Sequence, residues 1–243
     1  MTAFVIYLLH IPKTGGTSIQ ALLKAYASRT NRRVAIHYSV EDFLAADPED
    51  WSAADVLIGH LGTLPLVTNP DAAVITVLRN PIDHLHSWYR HVLWDANHYF
   101  HDEVVRRGIT FADWLDWAPA RMLVDNPQAR YLGTHGLTDA RAATPNGLLH
   151  QEWELSNRVP APEELKAAAQ KVLDGALAVG CAEQLSKFQR HLARQLDFEL
   201  DEEFRENVNP SRGESVEPEI ARLITDELCP IDVALYESCG FRR

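Results

Sequence analysis

The apolar positions of this chain keep switching between two spacings. Residues 4–9, FVIYLL, form a short unbroken run of apolar and β-branched side chains, the pattern of a strand buried on both faces. From Thr17 to Ala27 the apolar residues Ile19, Leu22, Leu23 and Tyr26 fall three and four apart, which predicts an amphipathic helix. The segments RRVAIHY (32–38), DVLIG (55–59) and AAVITVLR (72–79) predict three more strands. A helix then opens at NPIDHLHSWYRHVLW (80–94), with Asn80 as its cap, Pro81 in its first turn and Asp83 against its positive end. Strands alternating with helices in this way predict an α/β fold with a parallel, doubly wound sheet.

The second half is mostly helical. TFADWLDW (110–117) and NPQARYLGTHG (126–136) precede a Gly-, Pro- and Asn-bearing loop at 143–147. APEELKAAAQKVLDG (161–175) predicts a helix ending at glycine, ALAVG (176–180) a fifth strand, and AEQLSKFQRHLARQL (182–196) a further helix. ENVNPSRG (206–213) reads as a loop, and two last helical stretches part near Pro230. Without repeats, low-complexity tracts or a linker, residues 1–243 are expected to form a single domain.

Composition narrows the choice of partner. Lysine and arginine number 23 against 34 acidic residues, a formal charge of −11, which argues against nucleic acid or an anionic membrane surface while leaving room for one local basic pocket. The three cysteines, Cys181, Cys229 and Cys239, are odd in number and widely spaced, so they suggest neither a disulfide framework nor a zinc site. The first apolar run lacks a basic segment before it and a cleavage site after it, and no stretch nears the ~18 apolar residues of a membrane span. A cytoplasmic location is the resulting expectation.

Candidate chemistry centres on LLHIPKTGGTSIQALL (8–23), where a strand ends in a glycine-bearing turn that feeds a helix. Such a turn points backbone N–H groups at one spot, and the helix dipole adds positive charge there. Thr14, Gly15, Gly16, Thr17 and Ser18 are expected to line this nest, with hydroxyl donors from Thr14, Thr17 and Ser18. The lysine, Lys13, precedes the glycines, whereas the nucleotide-hydrolysing form G-x-x-x-x-G-K-[ST] places it after them. Neighbouring predicted strands end in Gly59-His60 and Leu78-Arg79, without the carboxylate that a magnesium–nucleotide site requires. An anion handled without a metal is the expectation.

IPKTGGTS (11–18) resembles the 5′-phosphosulfate loop of sulfotransferases that use 3′-phosphoadenosine 5′-phosphosulfate (PAPS). It is most like the branch of the heparan sulfate 2-O- and 6-O-sulfotransferases and their bacterial relatives. VLRNPIDHLHSWY (77–89) is similar to that family's 3′-phosphate segment, with Arg79 and Ser87 at the matching positions. The family often has a second arginine where this chain has His84. Weaker likeness extends to NPQARYLGTHG, VGCAEQLSKFQRHL (179–192) and NVNPSR (207–212). The resemblance implies a P-loop-like three-layer fold with a central parallel sheet flanked by helices. It also implies PAPS as donor, held by residues 13–18, Arg79 and Ser87, and a hydroxyl-bearing small molecule or glycan as acceptor.

Sulfuryl transfer needs a base for the attacking hydroxyl, and imidazole titrates in the right range. Of eleven histidines His60 is the choice, since it follows a predicted strand directly and its Gly-His pair resembles the catalytic segment of the 2-O branch. Lys13 is assigned to the leaving phosphate oxygen. The histidines at 98 and 101 read as a solvated face, and His135 as a possible lining of the acceptor pocket. Trp114 and Trp117, three apart in an amphipathic pattern, read as core; Asn207, Asn209 and Arg212 read as a loop able to close on the nucleotide. Two alternatives stay open: a P-loop kinase or NTPase with an unusual loop, and a non-catalytic nucleotide-binding protein.

Overall fold

In the computed structural model, which describes residues 5–47, 51–134, 160–205 and 216–239, five parallel strands form one sheet. They are β1 (Ile6–Leu9), β2 (Val34–His37), β3 (Val56–Gly59), β4 (Ala73–Leu78) and β5 (Ala178–Cys181), in the order β2-β3-β1-β4-β5. The expected α/β fold with a parallel sheet is therefore present. The helices, in chain order, are α1 (Gly16–Arg29), α2 (Val40–Ala45), α3 (Leu64–Thr68), α4 (Pro81–Trp94), α5 (His101–Arg107) and α6 (Phe111–Asp116). They continue with α7 (Arg121–Val124), α8 (Pro127–Gly133), α9 (Pro162–Gly175), α10 (Leu185–Gln195), α11 (Pro218–Arg222) and α12 (Pro230–Ser238).

The unbroken apolar run of β1 has a simple cause. Successive strand side chains point to opposite faces, and both faces are covered. Tyr7 and Leu9 join a cluster with Leu57, Leu61, Leu132, Leu165 and Leu235, under α8, α9 and α12. Ile6 and Leu8 join the opposite cluster with Ile19, Leu23, Ile58, Ile75, Phe188 and Leu192, under α1 and α10. Each such side chain stabilises the fold by about 1.5–3 kcal/mol on burial. A third cluster, built by α4 to α7 and the π-helical turn Leu223–Leu228, holds Trp88 and Trp114. Trp114 is fully buried, as its spacing suggested.

Two registers place the site. Leu9 at the end of β1 pairs with Gly59 at the end of β3, while on the other side it pairs with Thr76, so β4 runs two residues farther to Leu78. The buried Thr76 hydroxyl donates to the Leu9 carbonyl at 2.9 Å, closing the ladder there. The cysteines are buried free thiols. No helix among the described residues is long and apolar enough to cross a membrane. The loops expected at 143–147 and 206–213, and His135, lie outside the described residues.

Candidate active site

Three central strands stop at one edge, and the residue after each carries a polar side chain: His10 after β1, His60 after β3, Arg79 after β4. β1 lies between the other two, so the loop leaving it is flanked by both, the place where open parallel sheets bind ligands.

The loop's backbone is held carbonyl by carbonyl. The His60 Nδ1–H donates to the His10 carbonyl at 2.6 Å. The Thr14 hydroxyl donates to that of Ile11 at 2.8 Å, and the His84 Nε2–H to that of Pro12 at 2.8 Å. The Arg79 Nη1–H donates to that of Lys13 at 2.9 Å. Across a planar trans peptide the N–H points opposite to the carbonyl. Fixing these four carbonyls therefore also fixes the peptide planes that carry the N–H groups of Ile11, Lys13 and Thr14.

The turn itself uses two left-handed residues, Lys13 at φ 67° and Gly15 at φ 89°. The second suits glycine; the first is a strained position for a lysine. Gly16 has a different reason, since a Cβ there would lie 2.1 Å from Cδ2 of the His10 ring. The helix that follows is open at its positive end. Like most of the helices, α1 has no side-chain cap, and no acidic residue stands in its first turn. The Ser18 N–H bonds the Gly15 carbonyl at 3.2 Å, and an anion at that end meets the helix dipole.

Charge is concentrated at the same spot. Burial, and then the neighbouring Arg79 guanidinium, hold Lys13 below the ordinary lysine range, while Asp95 pulls the other way. Two cations held partly out of water raise each other's energy, and an anion between them relieves both. Burial likewise pushes His60 below the usual imidazole value, against the bond to the His10 carbonyl, so its ring is neutral at pH 7. Because Nδ1 donates, Nε2 carries the lone pair. The His60 ring packs against those of His10 and Tyr38, with centroids 4.5 and 5.6 Å away, and Gln20 donates to the Tyr38 hydroxyl at 2.8 Å.

His10 and His84 are both buried, and burial above all lowers each to about 3. The unfolded chain binds a proton at each near pH 6.5, long before the folded one does. Stability is therefore full above that pH and falls as pH drops toward 3, by up to about 1.4 kcal/mol per unit per histidine. Urea melts at pH 7, 6, 5 and 4 should show a steadily falling midpoint; a flat midpoint down to pH 4.5 would mean these imidazoles are not held neutral.

Lys13, His60 and Arg79 are thus brought together around the loop. Ser87 stands one turn beyond His84 on the same side of α4, partly exposed. Thr17 is partly exposed at the start of α1, and Ser18 is buried. Thr14 departs from expectation: it is fully buried and its hydroxyl braces the loop from within instead of offering a donor outward. His84, at the family's second-arginine position, is a neutral loop anchor. The solvated reading of the other histidines also gives way, for His98 stacks on Tyr99 with centroids 4.3 Å apart and His101 donates to the Val92 carbonyl. Gln128, which the sequence places near cofactor or acceptor, instead bonds the Arg79 backbone. Only its place in NPQARYL offered a signal.

Comparison with known proteins adds a fold relative. A crystal structure of a sulfotransferase from Alicyclobacillus acidocaldarius superposes with a TM-score of 0.51 over 97% of this chain and 95% of that one, at 15% sequence identity. At that identity the likeness is one of fold, the three-layer P-loop-like arrangement. No protein-family model and no curated protein matches the chain.

Proposed function

We propose that this protein transfers a sulfuryl group from PAPS to an acceptor hydroxyl on a sugar, glycolipid or secondary metabolite. One observation carries the reading: Lys13 and Arg79 meet at a strand-end loop whose backbone is fixed by four carbonyl bonds and which runs into the positive end of α1. The donor's 5′-phosphosulfate would lie in residues 13–18 and its 3′-phosphate against Arg79 and Ser87. His60 Nε2 takes the acceptor proton as the hydroxyl oxygen bonds to sulfur. The bond from sulfur to the phosphate oxygen breaks on the opposite side, and its electron pair stays on that oxygen. The Lys13 ammonium and the loop N–H groups stabilise the charge that builds there. Residues that follow the central strands are histidine and arginine, side chains suited to an anion and a proton, not to a magnesium ion.

A thermal-shift comparison tests the reading against a kinase or NTPase. Adenosine 3′,5′-bisphosphate in the presence of a chelator should raise the melting temperature by several degrees; at 100 times its dissociation constant a ligand adds about 2.7 kcal/mol. ATP with magnesium should do less. Stabilisation by magnesium–ATP alone would overturn the assignment. A bisphosphate response without transfer to a broad panel of hydroxyl acceptors would leave a nucleotide-binding protein.

A further inference from the structure

Arg79 stands just past β4, where the sheet no longer supplies partners for its backbone. Gln128, 1% exposed, supplies them: its Oε1 accepts the Arg79 N–H at 2.9 Å and its Nε2 donates to the Arg79 carbonyl at 2.9 Å. One carboxamide thus extends the ladder by a residue, a task needing a donor and an acceptor on the same side chain. Gln128 is itself anchored. Its backbone N–H and that of Ala129 donate to the buried Asp232 carboxylate at 3.0 and 2.7 Å. In return Asn126 Oδ1 accepts from the backbone of Ile231 at 2.8 Å and of Asp232 at 3.2 Å. The first turns of α8 and α12 therefore cap one another, and Gln128 projects from that locked joint.

We infer that Gln128 is a positioning residue for nucleotide binding: it fixes the backbone of Arg79, and so sets where the guanidinium meets both the Lys13 carbonyl and the donor's phosphate. The inference rests on the proposed PAPS-dependent reaction. It places helix α12 in a chain of contacts running through Asp232 and Gln128 to Arg79 and the anion loop.

A double-mutant cycle on the full chain, read by calorimetric titration with adenosine 3′,5′-bisphosphate, decides it. Gln128→Met keeps the volume and removes both bonds. It should weaken binding on the order of tenfold, the scale of a misplaced binding group. Gln128→Leu, which also removes both bonds, should weaken binding alike, and it serves in place of Gln128→Met should that variant not fold. In an Arg79→Ala background the Gln128 substitution should change affinity no further, because no guanidinium remains to be placed. A merely structural role for Gln128 would instead lower affinity equally in both backgrounds, and that result overturns the inference, as does wild-type affinity in Gln128→Met. If the wild-type chain itself fails to bind the bisphosphate, the functional reading falls first and the positioning role with it.

Discussion

Lys13→Ala should lower kcat by about 10²–10³-fold, the usual cost of losing one well-placed donor to a developing oxyanion. Its effect on bisphosphate affinity should be much smaller. The Lys13 backbone stays where it is, because the Arg79 bond is made to its carbonyl and not to its side chain. The left-handed φ of 67° is no harder for alanine than for lysine, so loop strain does not change either. The loss therefore reports on the ammonium alone. His60→Ala belongs to the same experiment. In the wild type, activity should fall on the acid side, below about pH 6.5, since burial lowers the His60 pKa and the working form is neutral. The variant should lose most of its turnover and that acid limb together. Both are measured as initial rates with radiolabelled donor across a pH series. A Lys13→Ala enzyme with near-normal kcat and a raised KM would show that the lysine holds the ground state and does not act in the transition state.

Gly16→Ala should be the most damaging single methyl in the loop. The added carbon would lie 2.1 Å from Cδ2 and 2.4 Å from Nε2 of His10. That ring cannot retreat, being 6% exposed and packed against the His60 imidazole, while its own carbonyl holds His60 Nδ1. Overpacking of this kind costs about 3 kcal/mol, which for a chain of this size lowers the melting temperature by about 6–12 °C. Combining it with His10→Ala should recover most of that loss, since the second change opens the space the first one needs. Gly15→Ala makes the contrast: its Cβ would meet only the Leu185 side chain at 3.3 Å, and its cost is the left-handed backbone, about 1–2 kcal/mol. A Gly16→Ala protein melting within two degrees of wild type would show that the ring yields.

These two glycines mark how far residue patterns carry. The strand β1, the start of α1, the Asn80 cap and the parallel sheet follow from local spacing and local side chains, and each is present. So is the meeting of Lys13, His60 and Arg79, because residues that follow adjacent parallel strands must share an edge. What spacing could not supply is the inward half of the site. Thr14 looks like a donor to ligand by its place in the motif, yet its hydroxyl is needed within the loop. His84 looks like a lost cation, yet it is a buried neutral donor to Pro12. Gln128 lies 49 residues from the arginine it holds, and no periodicity connects them. The short helices α2, α3, α5 and α7 show no pattern in the sequence, being too brief to show a period and dependent on their neighbours.

The bracing of the four loop carbonyls bears on how portable the motif is. Three of the four donors come from outside it: His60 behind β3, Arg79 behind β4 and His84 on α4. An eight-residue IPKTGGTS segment transplanted between a strand and a helix of an unrelated scaffold would carry the letters of the site without its scaffolding. Its peptide planes would be free to turn, and its affinity for anions would collapse to that of any open helix end. Engineers wishing to move this loop must transplant three strand ends and a helix along with it.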